Sequence, residues 1–218
     1  MNILFREAVP TANIIAIPCI TSNKQVHILA DIFSVVEKEK IAQQLSQMNF
    51  HGEKAQTVLF PHNDATYLFL GFGDTETLIF KDFANLGATI YKVLSGTKAQ
   101  EVAVLLNERT LSEGFTQHVI AAEMGFGAVS RSYRFDEYRT KLKEQDQPTL
   151  QKMTFVLPAA KEAAAAFVRG HSIAKGMFLA RDLMCSPPND LYPASMADKL
   201  KGLEKLGVEV EILTVKEM

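Results

Sequence analysis

Residues 66–106 read TYLFLGFGDTETLIFKDFANLGATIYKVLSGTKAQEVAVLL, and this stretch decides the fold. Thr66 to Phe72 is a short run of Leu, Phe and Tyr bounded by turn formers, which suits a buried strand. From Ile79 to Leu94 the apolar positions Phe83, Leu86, Ile90, Tyr91 and Leu94 recur at helical spacing, so one face of a helix is buried. Glu101 to Leu106 is again a short run of Val and Leu, a second buried strand ending at Asn107. Strand, helix and strand in immediate succession predict an α/β fold.

The pattern extends outward in both directions. Upstream, Ala12 to Ile20 is an Ile-rich strand that Pro18 ends or bulges. Val35, Val36, Ile41, Leu45 and Met48 then recur among charged residues as an amphipathic helix, which His51-Gly52 closes. Gln56 to Phe60 is expected to pair with Thr66 to Phe72 across a turn at Pro61, His62, Asn63 and Asp64. Downstream, Ser112 to Ser132 is expected to be a helix with Ser112 as N-cap, and Lys152 to Leu157 a strand stopped by Pro158. The fold class is therefore α/β, a mixed sheet with helices on both faces.

After Pro158 one helical pattern runs from Ala159 to Cys185, about 26 residues or roughly 39 Å. Its apolar stripe passes through Ala163, Phe167, Gly170, Ala174, Met177, Ala180 and Met184. Gly170 and Gly176 each cost about 1 kcal/mol relative to Ala inside a helix, and close helix packing is one compensation. Pro187-Pro188 stops the helix, and Pro193 can occupy the first turn of another, Ser195 to Leu206, with Gly207 as its stop. Val208, Val210 and Ile212 alternate with Glu209 and Glu211 as a period-two strand. One helix and one strand cannot bury their own apolar faces, so the natural protein is expected to continue beyond Met218. The domain boundaries follow: 1–158, a connecting helix at 159–185, and the beginning of a second domain at 186–218.

Composition removes several classes of function. Among 218 residues, Lys plus Arg number 23 against 25 for Asp plus Glu, a net charge of -2 that would gather neither nucleic acid nor an anionic membrane. The two cysteines, Cys19 and Cys185, lie far apart in no metal-binding spacing, which fits a reducing, cytoplasmic setting. No apolar run has the length of a signal peptide core or a membrane span. His27, His51, His62, His118 and His171 are scattered without the convergent carboxylates that a hydrolytic metal centre needs. No G-x-S-x-G frames a serine nucleophile. The glycine pair of Gly71-Phe72-Gly73-Asp74 follows a strand and is a candidate ligand loop, although no third glycine opens a helix and a tight turn is the ordinary alternative. Gly125-Phe126-Gly127 lies inside a helix and suits close packing or a kink. Arg131 to Lys143 mixes Tyr133, Phe135 and Tyr138 with Arg and Lys, as single-strand binders do, but Asp136, Glu137 and Glu144 dilute the charge.

The segment Ala180-Arg181-Asp182-Leu183-Met184-Cys185-Ser186-Pro187-Pro188-Asn189-Asp190-Leu191-Tyr192-Pro193 resembles one in leucyl aminopeptidases (the cytosol aminopeptidases, M17 metallopeptidase family). There a helix ending in Arg/Lys-Asp-Leu runs into a Pro-Pro-Asn turn and then a new helix. Three further stretches agree in order and spacing: Gly71-Phe72-Gly73 with Thr77 to Leu94, the Tyr133-Arg134-Phe135-Asp136-x-Tyr138 block, and Gly207 to Met218. Cys185 departs from the usual Asn. The resemblance implies a macro-domain-like amino-terminal domain, a connecting helix, and the start of a catalytic domain in a hexamer that removes amino-terminal residues from peptides. It also implies two divalent ions, zinc, manganese or magnesium, in the full-length enzyme. Their ligands belong to motifs such as Asn-Thr-Asp-Ala-Glu-Gly-Arg, which this chain does not contain, so no catalytic or metal residue is carried over and no cofactor is expected in this portion. Its own partners would be the catalytic domain and further copies, with no membrane and no nucleic acid. Arg181, Asp182, Pro187, Pro188 and Asn189 are expected to make structural contacts at the junction, Asp182 by pairing a cation and Asn189 by bonding backbone in an Asx-type turn. The rival expectation is a stand-alone macro-like module that holds an ADP-ribose-type ligand at Gly71, Gly73 and Asp74.

Overall fold

The computed structural model describes residues 1–23, 25–62, 65–106, 114–143 and 147–217. They divide into two compact units, Met1–Ala174 and Lys175–Met218.

The first unit is built on a seven-stranded mixed sheet of β1 (Asn2–Arg6), β2 (Ile14–Ser22), β3 (Gln25–Ile28), β4 (Thr57–His62), β5 (Ala65–Gly73), β6 (Glu101–Leu105) and β7 (Lys152–Val156). Its order is β1-β7-β6-β2-β5-β4, with β3 beside β2. Neighbours from β1 to β5 run parallel, while β4 and β3 pair antiparallel with β5 and β2. Alternate residues of the central strands face opposite ways, as a period of two requires. Ala16, Leu68, Leu70, Val104 and Phe155 enter one apolar cluster with Phe83, Leu86 and Ile90 of α2 (Phe80–Leu94) and Ile120 and Met124 of α3 (Gln117–Arg131). Ile17, Cys19, Phe69, Ala103 and Leu105 face the other cluster, with Ile41 and Leu45 of α1 (Val35–Gln47). A mixed sheet with helices on both faces is what the sequence pattern predicted.

Glycines set the distance between α2 and α3. A Cβ on Gly87 would lie 1.8 Å from the Met124 carbonyl oxygen, and one on Gly127 would lie 1.8 Å from the Ala84 oxygen. The two helix backbones touch there, so close packing is the role of Gly127. At Gly170 of α4 (Ala160–Cys185) the contact is looser, a Cβ there lying 3.2 Å from the Phe126 side chain, whereas a Cβ on Gly176 would meet nothing within 4 Å.

Several elements differ from expectation for physical reasons. Pro18 lies inside β2, at the place where the neighbour on that edge changes from β6, paired at Ile14–Ala16, to β3, paired from Cys19. Its carbonyl accepts from the Leu29 amide at 3.0 Å, and its missing N–H falls in the gap between the two partners. The bulge comes just after it, between Cys19 and Ile20. β1 and β3 were not anticipated. β1 is a short edge strand held by a partner that begins at Lys152, and β3 spans four residues. Helix α1 ends at Gln47 rather than at His51-Gly52, because Asn49 already adopts a left-handed φ of 58°. Its start is a capping box, Ser34 and Glu37 each bonding the other's amide. Helix α3 begins at Gln117 with Thr116 as N-cap, while Ser112, Asn107 and the Asn63-Asp64 turn lie outside the described residues.

In the second unit, Pro193 takes the first turn of α5 (Pro193–Lys201), a 3-10 turn covers Gly202–Leu206, and Gly207 closes it at a φ of 82°. The strand expected at Val208 to Ile212 is absent, and residues 208–214 form no regular structure. A strand exists only through hydrogen bonds to a neighbour, and among the described residues none pairs with it. No helix of the described residues is long and apolar enough to cross a membrane.

Candidate functional site

The candidate ligand loop lies at the carboxyl end of β5, where open α/β sheets commonly hold ligands. Thr21, Glu53, Lys54, Gly73, Asp74 and Thr77 line a shallow cleft of ≈ 370 Å³ there. The glycines serve another purpose. A Cβ on Gly71 would sit 2.1 Å from the Glu53 carbonyl oxygen, so the segment after Gly52 lies directly on the strand. The Gly71 amide donates to the Gln56 carbonyl at 2.8 Å and the Gly73 amide to the Gly52 carbonyl at 2.9 Å. Both N–H groups that a phosphate would need are engaged inside the fold. The Asp74 carboxylate accepts from the Glu76 amide at 3.0 Å and caps a 3-10 turn over Thr75–Thr77.

Beside this cleft, Lys54 and Asp82 form an ion pair that sequence reasoning missed, since 28 positions separate them. Lys54 Nζ donates to Asp82 Oδ2 at 2.8 Å, and the Ile79 amide donates to the same oxygen at 3.0 Å. Burial pushes the Asp82 carboxyl up. The hydrogen bonds from Lys54 and Ile79, with the charges of Lys54 and Lys81, outweigh burial and hold it below the usual carboxylate range.

The junction residues Arg181, Asp182, Pro187, Pro188 and Asn189 fall together at the end of α4 and in the turn after it. The turn is closed by backbone, with the Asp190 and Leu191 amides donating to the Pro187 carbonyl at 2.9 and 2.8 Å. Asn189 therefore bonds the Asp190 side chain, Nδ2 to Oδ1 at 3.2 Å, instead of a backbone group. The Ser186 amide and hydroxyl both donate to the Asp182 carbonyl. Ser195, expected only as the first residue of a helix, supports the start of α5: its hydroxyl accepts from the Tyr192 amide at 2.9 Å and donates to the Asp190 carbonyl.

The basic and aromatic stretch after α3 is tied to itself. Asp136 pairs with Arg134 at 2.7 Å and with Arg139 at 3.6 Å, and Phe135 and Tyr138 lie with ring centroids 5.6 Å apart. Cys19 is fully buried, which raises its thiol pKa and leaves no reactive thiolate. Among the described residues no group of three His, Cys, Asp or Glu could hold a metal ion, so these residues do not fit a two-metal centre.

The fold is shared with solved aminopeptidase structures. A mutant of tomato leucine aminopeptidase matches with a TM-score of 0.81 at 19% identity, covering 100% of this chain and 45% of that one. The bottromycin maturation enzyme BotP in complex with Mn matches with a TM-score of 0.65 at 22% identity, covering 90% of this chain and 37% of that one. The class is thus an α/β protein with a leucine aminopeptidase fold. Residues 29–142 match the family described as "Cytosol aminopeptidase family, N-terminal domain". A "Probable cytosol aminopeptidase" of Agrobacterium fabrum is 34% identical over 193 residues, covering 87% of this chain and 37% of the relative. One of Afipia carboxidovorans is 36% identical over 154 residues, covering 71% and 30%. The chain belongs to the cytosol aminopeptidase family, and it spans about a third of the length of these curated relatives.

Proposed function

We propose that this chain is the non-catalytic amino-terminal portion of a leucyl aminopeptidase, acting in assembly and in positioning the catalytic domain. The observation that carries this reading is the match of residues 29–142 to the family's N-terminal domain. The division of labour is a macro-domain-like part over 1–158, a connecting helix over 159–185 and the beginning of the catalytic domain from 186. The mixed sheet flanked by helices supports the first of these, and α4, a continuous helix, is a stiffer connection than a flexible linker. The parent enzyme is a cytoplasmic hexamer that removes Leu-like residues from the amino termini of peptides with two divalent ions, manganese, zinc or magnesium. Those ions belong to residues outside this chain, and no chemical step is assigned to the residues present. The second unit supports the reading through its surface, since Met184 and Leu206 are among several large apolar side chains left exposed.

The test is hydrolysis of a leucine anilide by the purified chain with manganese or zinc supplied. No turnover above background is expected. Turnover that a chelator abolishes would overturn the proposal.

A further inference from the structure

The start of α2, the middle of α3 and the first half of α4 enclose a groove of ≈ 330 Å³, with every lining residue inside the unit Met1–Ala174. Phe80, Phe126 and Ile173 give it apolar walls, and Phe80 and Ile173 are about half exposed, at 46% and 47%. Gly170 also lines the groove, and a Cβ there would lie 3.2 Å from Phe126. Two charges of opposite sign line this space, Glu123 from α3 and Arg169 from α4. Among the described residues neither makes an ion pair or a hydrogen bond, with each other or with anything else.

A partly buried carboxylate without a hydrogen-bond or ion-pair partner is costly, and burial raises the pKa of Glu123. The group lacks a cation. An anionic ligand would be repelled by Glu123 and a purely cationic one by Arg169, so the two together select a molecule carrying both charges. The volume lies at the small end of ligand pockets, which begin at about 300 Å³, and so suits one small molecule better than a nucleotide. We propose that this groove is a binding site for a free α-amino acid with an apolar side chain. Its ammonium group is held by Glu123, its carboxylate by Arg169 in the bidentate manner natural to a guanidinium, and its side chain by Phe80, Phe126 and Ile173. The site involves no residue of the junction and does not rest on the function proposed above.

The test is a nuclear magnetic resonance titration of the 218-residue chain with L-leucine. Saturable shifts are expected at the amides of Phe80, Glu123, Phe126 and Gly170. Glu123→Gln and Arg169→Gln, each checked for unchanged melting, are each expected to weaken binding about tenfold or more. Two probes separate the charges. Affinity for L-leucinamide, which lacks the carboxylate, should fall in Glu123→Gln and not in Arg169→Gln, and 4-methylpentanoate, which lacks the amine, should not lose affinity in Glu123→Gln. Absence of saturable shifts with L-leucine, shifts confined to another surface, or an affinity for L-leucine unchanged from the unsubstituted chain in either variant would overturn the proposal.

Discussion

Met1–Ala174 and Lys175–Met218 are made from similar proportions of apolar residues and reach different states of burial. Every buried residue among those described belongs to the first unit, where two apolar clusters sandwich one sheet. In the second, no described residue is buried, and Met184, Leu206 and Val215 are exposed at 85%, 78% and 88%. Caps and turn formers were enough to shape the second unit locally: Pro193 starts α5, Gly207 stops the turn after it, and backbone bonds close the turn at Pro187. They do not create an interior. A sheet does, because it offers two faces to which helices can apply their apolar stripes. The long helix α4 displays both conditions along its length, with Ala163, Phe167 and Ala174 buried and Ala180 and Met184 of the same expected stripe exposed.

The largest expected effect lies in the first unit, at the contact between α2 and α3. Gly127→Leu would force a side chain into the Ala84 carbonyl, and a loss of about 4 kcal/mol or outright failure to fold is expected in urea unfolding. A loss below about 1 kcal/mol would mean that the helices can separate freely.

A middle-sized effect belongs to Asp82. Its carboxyl is held below the ordinary range in the folded chain, so the unfolded chain binds the proton more readily. The stability it contributes is present at neutral pH and is lost as the pH falls through the usual carboxylate range to the folded value. Asp82→Asn is expected to cost about 1–2 kcal/mol at neutral pH and to flatten the acid limb of stability against pH. An unchanged acid limb would assign that dependence to other carboxylates.

The smallest effects lie in the second unit. Gly176→Ala meets nothing within 4 Å and should stabilise α4 locally by about 0.5–1 kcal/mol, seen as slower amide exchange around it. Met184→Ala should change global stability by less than about 0.5 kcal/mol. A large loss there would show that Met184 is covered in solution, and the contrast between the units would narrow.

The candidate site was legible to an uneven degree. The glycines at Gly71 and Gly73 were visible as a turn after a strand, and the structure puts them under the segment 52–56, a neighbour that their own surroundings do not announce. The junction from Arg181 to Asn189 was legible as a helix end and a proline turn, because Pro acts on its nearest neighbours. The Lys54–Asp82 pair and the groove between Glu123 and Arg169 were not legible, since nothing in the local pattern of either partner refers to the other.

By itself, the sequence determined the helices, the central strands and the fold class, because apolar periodicity, caps and breakers act within a few residues of where they stand. It also carried enough family-specific wording, from Arg181 to Pro193 above all, to point to the aminopeptidases. Only the tertiary structure decided that Asn2–Arg6 is a strand and that residues 208–214 are not, which glycines touch backbone, and which charges pair. Each of those depends on a partner distant in the chain, and strand pairing, close approach and charge compensation are properties of two segments at once.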